Sequence, residues 1–219
     1  MASRVDIGLP PAVRDARAIM ASWFLGSETG HAIADLVFGD HSPSGRLPVS
    51  FPLASGQQPD SYNHRRTGRP QTSPQESAFK ARYRKVEHRA LYPFGHGLGY
   101  GDVVYGPTLA SSETLGRNAT LSLRATLVNR GALAMREVAQ LYIHQRVAAI
   151  ARPVRELRGF KAVELQPGEA ATVEFQIRRS DLAYVGAEGK AVVEPGWFDV
   201  VIAPSAVGGA SVALRLLAN

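Results

Sequence analysis

The spacing of apolar residues changes from a helical to an alternating period about halfway along the chain. Residues 12–22 carry apolar side chains at mostly helical spacing, which predicts a short helix. A second helix is predicted with Ser27 as N-cap and Glu28 in its first turn, and it is expected to end near Gly39. Residues 47–52 alternate in polarity and contain two prolines, which favours an extended edge segment. Two helices and one edge segment cannot form a parallel sheet that is covered on both faces. This half is therefore expected to be part of a larger α/β domain.

The second half consists of short alternating segments separated by turn residues at regular spacing. The predicted strands cover residues 120–129, 137–144, 154–160, 171–177, 197–202 and 211–217. This pattern favours a fibronectin III or immunoglobulin-like β-sandwich, with an unrelated β-barrel as the alternative. The predicted fold is therefore an α+β segment, a partial α/β sandwich, over residues 1–105, followed by an all-β domain over residues 106–219.

A glycine- and aromatic-rich stretch, residues 90–100, divides the two halves and is called the seam below. A flexible linker is polar and rich in Gly/Ser or Pro. The seam instead sets apolar residues among glycines, which allow close backbone approach. Its apolar side chains are expected to be buried between the two domains. They are Leu91, Tyr92, Phe94, Leu98 and Tyr100.

The net charge of +6 raises the question of nucleic-acid binding, and the basic residues concentrate between Asp60 and Arg89. The aromatic residues there do not follow the alternation of a base-stacking platform, and no helix-turn-helix pattern accompanies them. This stretch is predicted to be a long surface loop that is solvated or contacts a neighbouring domain. We expect no nucleic-acid partner.

Other composition features narrow the possibilities further. No apolar run approaches the roughly 20 residues that a membrane helix needs, so no membrane association is expected. The first residues show no signal-peptide core. The chain has no cysteine, which excludes disulfides and thiolate metal sites but leaves the compartment open.

Several motifs run through both halves of the chain. In the first half they are residues 23–40, 43–52, 62–64, 67–70, 82–83 and 91–100, and in the second half residues 128–131, 137–142, 152–160 and 165–169. These motifs closely resemble those of the family 3 glycoside hydrolases, chiefly bacterial periplasmic β-glucosidases. The resemblance covers essentially the whole chain and implies the end of the family's α/β domain followed by its fibronectin-like domain. One departure is Gly99-Tyr100-Gly101, where members usually have Ser-Tyr-Thr.

The family resemblance implies retaining hydrolysis of β-glucosides by a nucleophilic Asp on an N-terminal barrel and an acid/base Glu on the second domain. The motifs that carry these residues do not occur in this sequence. We therefore expect a C-terminal region of a β-glucosidase-like enzyme, with no catalytic, cofactor or metal residue of its own and substrate-binding residues unknown. Whether the chain alone is an enzyme stays open. By resemblance its location is periplasmic or extracellular, and its partners are carbohydrate through the complete enzyme and the N-terminal barrel half or a second copy.

The remaining chemistry-bearing residues have plainer explanations. Glu28 is expected to be a first-turn carboxylate bound by backbone N–H groups. Asp35 and Asp40 are expected on a helix face and in a turn. The six histidines show no metal-ligand spacing, and His96 is expected to be a hydrogen-bonded imidazole packed in the seam. The six are His31, His41, His64, His88, His96 and His144.

Two alternatives to a purely structural region stay open. A small serine esterase would need Ser42 or Ser44 together with His41 or His64, although there is no nucleophile-elbow motif. A stand-alone carbohydrate- or protein-binding module would use Trp23, Trp197 or loop aromatic residues. Trp197 follows a Pro-Gly pair and begins a strand, so it is expected in the core.

Overall fold

The computed structural model describes residues 9–69, 80–81, 83 and 86–218. The helices are α1 (Pro11–Arg14) and α2 (Thr29–Phe38), and single 3₁₀ turns span Ser55–Gln57 and Arg179–Leu182. The strands are β1 (Phe51–Pro52), β2 (Ala90–Tyr92), β3 (Val103–Tyr105), β4 (Leu109–Ala110), β5 (Thr114–Leu115), β6 (Thr120–Asn129), β7 (Met135–Gln145), β8 (Glu156–Leu165), β9 (Ala170–Arg178), β10 (Tyr184–Val185), β11 (Ala191–Val192), β12 (Gly196–Ala203) and β13 (Val212–Leu216).

Two sheets build the sandwich. One has the strand order β5-β13-β12-β7-β8, with a parallel pair only between β5 and β13. In the other, β6 pairs with β3 and β4 along one edge and with β9 along the other. The strands predicted from alternation are thus present. Their ends lie within two residues of the predicted ones except for β8, which extends to Leu165, five residues beyond its predicted end. The domain boundary at residue 105 stays a prediction, and β3, which ends there, pairs with β6.

The core lies between the two sheets and uses every second residue of each strand. From β6 come Leu121, Leu123, Ala125 and Leu127, from β7 Ala139, Leu141 and Ile143, and from β12 Phe198, Val200 and Ile202. β6 alternates between buried and exposed positions, as expected for a strand with one face in solvent. β7 differs because residues 139–145 are all buried. A strand buried on both faces must have a second layer over its outer face. Here the seam contacts that face at Gln140, Tyr62 packs against Tyr142, and Pro153 contacts His144.

The first half is less regular than predicted. The helix expected over residues 12–22 is wrong beyond Arg14, because α1 ends there and Ile19 and Met20 stay exposed. A helix this short needs tertiary packing to persist. The predicted edge segment is confirmed only at β1, which pairs with β2 of the seam.

The second helix is confirmed, but its predicted N-terminus is wrong. α2 begins at Thr29, its N-cap is Glu28 rather than Ser27, and no side chain caps it. The Thr29 hydroxyl instead donates to the Gly26 carbonyl and closes the turn before the helix. The helix ends as expected at Gly39, whose φ of 86° is left-handed.

No helix within the described part of the chain is long and apolar enough to cross a membrane. The predicted basic loop between Asp60 and Arg89 is described at residues 60–69, 80–81, 83 and 86–89. The rest of that prediction lies outside the described residues.

An apolar surface around α2 is exposed to solvent. Trp23 is 54% exposed, Phe24 104%, Val37 62% and Phe38 82%, while no residue of α2 is fully buried. Contiguous exposed apolar surface of this kind favours association. We expect light scattering to show a mass that rises with concentration.

The double variant Phe24→Ser/Phe38→Ser should weaken this association. Leu133→Ser, which removes an exposed apolar side chain elsewhere in the chain, is the control and should leave it unchanged. A wild-type chain that stays monomeric over a wide concentration range would contradict the prediction.

Candidate functional site at the seam

Backbone hydrogen bonds join one side of the seam to the segment that follows α2. Leu47 N donates to His96 O at 2.9 Å, and Gly95 N donates to Leu47 O at 2.8 Å. Phe94 N donates to the Ser50 hydroxyl at 3.2 Å. The segment before β1 and the seam therefore form one paired unit, although only β1 and β2 are regular strands.

The other side of the seam rests on the outer face of β7 through Gln140. The buried Gln140 amide donates to Gly95 O at 3.2 Å and to Pro204 O at 2.6 Å. Its oxygen accepts from the Tyr142 hydroxyl at 2.6 Å. The hydrogen bond to Gly95 O fixes the position of the seam, and the bonds with Pro204 and Tyr142 fix the Gln140 amide that makes it. Burial of Tyr142 raises the pKa of its hydroxyl, which thus remains a donor.

Aromatic stacking extends this contact toward the loop that begins at Asp60. Tyr62 stacks on Phe94 with ring centroids 4.2 Å apart and meets Tyr142 edge-on at 6.1 Å. The Tyr62 hydroxyl accepts from Leu157 N at 3.3 Å. One aromatic side chain from the loop thus contacts both the seam and the sandwich.

A buried ion pair closes the end of the sandwich. Arg46 Nη2 lies 2.5 Å from Glu137 Oε2, and the two side chains are only 9% and 4% exposed. Tyr105 donates to the other carboxylate oxygen at 2.8 Å. Burial first, and the Glu137 charge second, raise the pKa of Tyr105, so its hydroxyl keeps the proton that it donates. The ion pair links the segment after α2, through Arg46, to β3 and β7 of the sandwich.

Glycines let the seam pass close to both layers. A Cβ at Gly97 would overlap Gly45 O, and one at Gly99 or Gly101 would press on Met135. Because these glycines face the protein, the side chains of the residues between them, Leu98 and Tyr100, point outward. The predicted burial is therefore wrong for Leu98, which is 76% exposed, and for Tyr100, which is 43% exposed. Leu91, Tyr92 and Phe94 are half-buried.

His96 packs within the seam, as expected. Its ring stacks on Tyr92 with centroids 5.1 Å apart. Burial, and secondarily the Arg46 charge, lower the pKa of His96. A lowered folded-state pKa means that the neutral ring is favoured in the folded state.

The His96 contribution to stability should therefore be present above the unfolded-state pKa of about 6.5 and be lost as the pH falls through the folded-state value. Between pH 8 and pH 5 we expect the wild-type melting temperature to fall more than that of His96→Phe, which keeps a ring but cannot titrate. Parallel pH profiles of the two proteins would contradict this.

Asp60 lies beside two histidines at the start of the basic loop. Burial raises its pKa, and the His64 and His88 charges oppose that shift. One carboxylate oxygen is buried without a hydrogen-bond partner. Within the described residues, no three His, Cys, Asp or Glu side chains are placed to hold a metal ion.

The other chemistry-bearing residues of the first half lie apart from one another. Glu28 is exposed at the N-cap of α2, so the prediction that backbone N–H groups bind its carboxylate is wrong. Asp35 lies on α2 and Asp40 in the turn after it, as expected. Ser42 accepts from Tyr100 N at 2.9 Å. Among the described residues no hydrogen bond joins Ser42 or Ser44 to a histidine.

The prediction that Trp197 lies in the core is wrong. In β12 the core positions are Phe198 and Val200, so the alternation directs Trp197 to the opposite face. Its ring is 43% exposed, with the Arg146 and Arg215 guanidinium groups each 5.8 Å from its centroid.

Sequence reasoning missed the polar residues that fix the seam. Glu137 and Gln140 lie on β7, the most completely buried of the long strands, and a charged or amide side chain on such a strand needs a buried partner. That signal marks the position but not the partner, because Arg46 is 91 residues away along the chain.

Comparison with known proteins agrees with this architecture. Residues 2–100 match the Glycosyl hydrolase family 3 C-terminal domain, and residues 137–206 match a fibronectin type III-like domain. The chain belongs to the family 3 glycoside hydrolases. It corresponds to their C-terminal region, as the sequence motifs predicted.

Two relatives show the range of named activities. The chain is 39% identical over 189 residues to a periplasmic β-glucosidase of Salmonella typhimurium, covering 86% of this chain and 25% of that protein. It is 33% identical over 188 residues to a β-xylosidase of Formosa agariphila, again covering 86% and 25%. Among solved structures, a Listeria innocua β-glucosidase in complex with isofagomine superposes with a TM-score of 0.83 at 35% identity, covering 89% of this chain and 27% of that one. The chain thus spans about a quarter of the length of these relatives.

Proposed function

We propose that this chain serves as the C-terminal part of a β-glucosidase-like glycoside hydrolase that removes terminal β-D-glucosyl residues. In this function it supports catalysis without supplying the catalytic carboxylates. The observation that carries the proposal is the set of buried polar contacts between the sandwich and the first half of the chain. Gln140 fixes the seam on the sandwich, and the Arg46–Glu137 ion pair fixes the segment after α2, which is the arrangement expected of a scaffold for an α/β domain.

The exposed apolar surface around Trp23, Phe24 and Phe38 supports a further part of the proposal. In the complete enzyme this surface would pack against the rest of the α/β domain. The aromatic loop around Tyr62, held against β8 by its hydroxyl, would then extend toward the rim of the active site. The sugar would be set by residues elsewhere, since relatives of similar identity are named for glucose and for xylose.

The resemblance to a periplasmic β-glucosidase supports a periplasmic or extracellular location for the complete enzyme. Carbohydrate would be its partner through the substrate. The N-terminal barrel half would be the protein partner.

Turnover of chromogenic aryl β-glucosides by the purified 219-residue chain tests the scaffold function. We expect no glycoside hydrolysis above the buffer rate, because no catalytic carboxylate of the family maps to this sequence. Robust turnover would show that a carboxylate pair acts within this chain and would contradict the proposal. A short aryl ester assayed in parallel tests the serine alternative, and ester turnover that is lost in Ser42→Ala would revive it.

A carbohydrate- or protein-binding module is the second candidate, and the exposed Trp197 ring favours it. The chain has two tryptophans, so Trp23→Phe leaves Trp197 as the sole indole reporter. Binding of β-glucan oligosaccharides would change its fluorescence in a saturable way, and Arg215→Ala would weaken that change. If no oligosaccharide changes the Trp197 fluorescence, the binding-module candidate is rejected and the scaffold function is the one that remains.

A further inference from the structure

A cavity of about 180 Å³ lies on the outer face of the five-stranded sheet, away from the seam glycines. Outward-facing residues of β7 and β12 form its floor, and residues before β8 and in the basic loop form its walls. The polar residues that line it are Arg66, Tyr142, His144, Arg155, Asp199 and Ser211. Its volume far exceeds the roughly 10–15 Å³ that one water requires.

Arg155 lies in this cavity with part of its guanidinium unsatisfied. Its Nη2 donates to Gly208 O at 2.7 Å, whereas its Nη1 is buried and has no hydrogen-bond partner in the described part of the chain. The guanidinium carbon lies 5.8 Å from the Tyr142 ring centroid. Burial lowers the pKa of Arg155, because its charge is desolvated without a carboxylate beside it. A buried donor of this kind needs an acceptor.

Asp199, which is the one carboxylate among the described residues that line the cavity, already has a partner. Arg146 Nε and Nη2 donate to its two oxygens at 2.6–3.1 Å. Arg66, exposed on the cavity wall, makes no ion pair with the described residues. The cavity therefore holds an excess of positive charge from Arg66 and Arg155.

His144 adds a polar group to the floor of the cavity. Its Nδ1 lies 2.7 Å from Pro153 O, which can only accept, so Nδ1 carries a proton and the imidazole is fixed in place. The Tyr142 hydroxyl is used by Gln140 and is not available to a ligand. Ser211 is exposed at the edge and offers a hydroxyl.

We propose that this cavity binds a small oxyanion group, such as a sulfate, phosphate or carboxylate, between Arg155 and Arg66. The planar guanidinium fork suits oxyanions, and among the described residues neither Arg155 nor Arg66 has a carboxylate partner that would compete with a bound anion. The site is separate from the seam scaffold, and its anion is either a free inorganic ion or a charged group carried on a sugar.

Sulfate is the first probe, because its charge does not change near neutral pH. Titration of the ¹⁵N-labelled chain at constant ionic strength should shift the amide resonances of Val154 and Arg155 in a saturable way, while sodium chloride should not. Arg155→Met should weaken the affinity by about ten-fold or more, as expected for loss of a charge-assisted hydrogen bond. Arg66→Met, at an exposed loop position where folding is not at stake, should weaken it measurably.

Arg158→Met is the matched control, because Arg158 is an exposed arginine of β8 that bonds Ala183 O outside the cavity. It should leave the sulfate affinity unchanged. Non-saturable shifts equal to those with chloride would overturn the proposal. So would a sulfate affinity unaffected by both Arg155→Met and Arg66→Met.

The source of the anion is distinguished by a second set of probes. Glucuronate that binds more tightly than acetate, with no binding of glucose, would assign the site to a sugar-borne carboxylate. Sulfate and phosphate that bind while glucuronate does not would assign it to a free inorganic anion.

Discussion

Glu137→Gln is expected to destabilise the chain more than any other single polar change, by about 3–5 kcal/mol. The substitution keeps the shape of the side chain but leaves the Arg46 guanidinium buried without a counter-charge. Arg46 Nε already has no hydrogen-bond partner among the described residues. No second acceptor is therefore in place to take over the role of the lost carboxylate. Urea unfolding followed by circular dichroism measures the change.

Glu174→Gln is the matched control for Glu137→Gln. Glu174 pairs with Arg124 on the exposed face of the other sheet, where solvent screens the interaction, and its loss should have a small effect. The double variant Arg46→Met/Glu137→Met should be more stable than Glu137→Gln, because it leaves no unpaired buried charge. Equal effects of Glu137→Gln and Glu174→Gln would contradict the assignment of Glu137 to the buried contact.

Gly95→Ala is expected to have the second largest effect, a loss of about 3 kcal/mol, because two costs add. The φ of 80° at Gly95 is left-handed, which costs a residue with a Cβ about 1–2 kcal/mol. The added Cβ would also overlap the Gln140 amide, which three hydrogen bonds hold in place. Displacing that amide leaves buried groups unpaired, at about 1–3 kcal/mol each.

Gly39→Ala separates these two costs. Gly39 has nearly the same backbone conformation, with φ of 86°, and a Cβ there would meet no atom within 4 Å. The free energy of unfolding lost in Gly39→Ala should reflect the backbone conformation alone, about 1–2 kcal/mol. If Gly95→Ala and Gly39→Ala prove equally destabilising, the close contact between Gly95 and Gln140 does not stabilise the seam.

The sandwich could be predicted from sequence because most of its long strands carry a local alternation of apolar and polar residues. In β6 that alternation, Leu121 to Leu127, matches the buried positions one for one. The Trp197 prediction failed because this residue was assigned to the core from its place at the start of a strand, after a Pro-Gly pair. The alternation around Phe198 directs it outward. The two-residue period of a strand decides on which face of the sheet a side chain lies, and the hydrophobicity of that residue alone does not.

The first half was predicted less well because its elements depend on contacts that are distant in sequence. Residues 12–22 have a helical pattern, yet α1 spans only Pro11–Arg14, since no layer of this chain buries Ile19 or Met20. The seam was recognised as a contact between domains from its glycines and aromatic residues. The residues that fix it were not, because Glu137 and Gln140 meet Arg46 and Gly95 only in the folded chain.

A chimeric enzyme tests most directly whether this chain is a C-terminal scaffold for glycosidase chemistry. In it, this chain replaces the matching quarter of the Salmonella typhimurium periplasmic β-glucosidase, to which it is 39% identical. The aryl-glucoside kcat/KM of the chimera is measured with and without Glu137→Gln. The account predicts an active chimera whose activity falls, together with its melting temperature, when Glu137 is replaced. A chimera that folds to the same melting temperature as the parent but has no activity would contradict it.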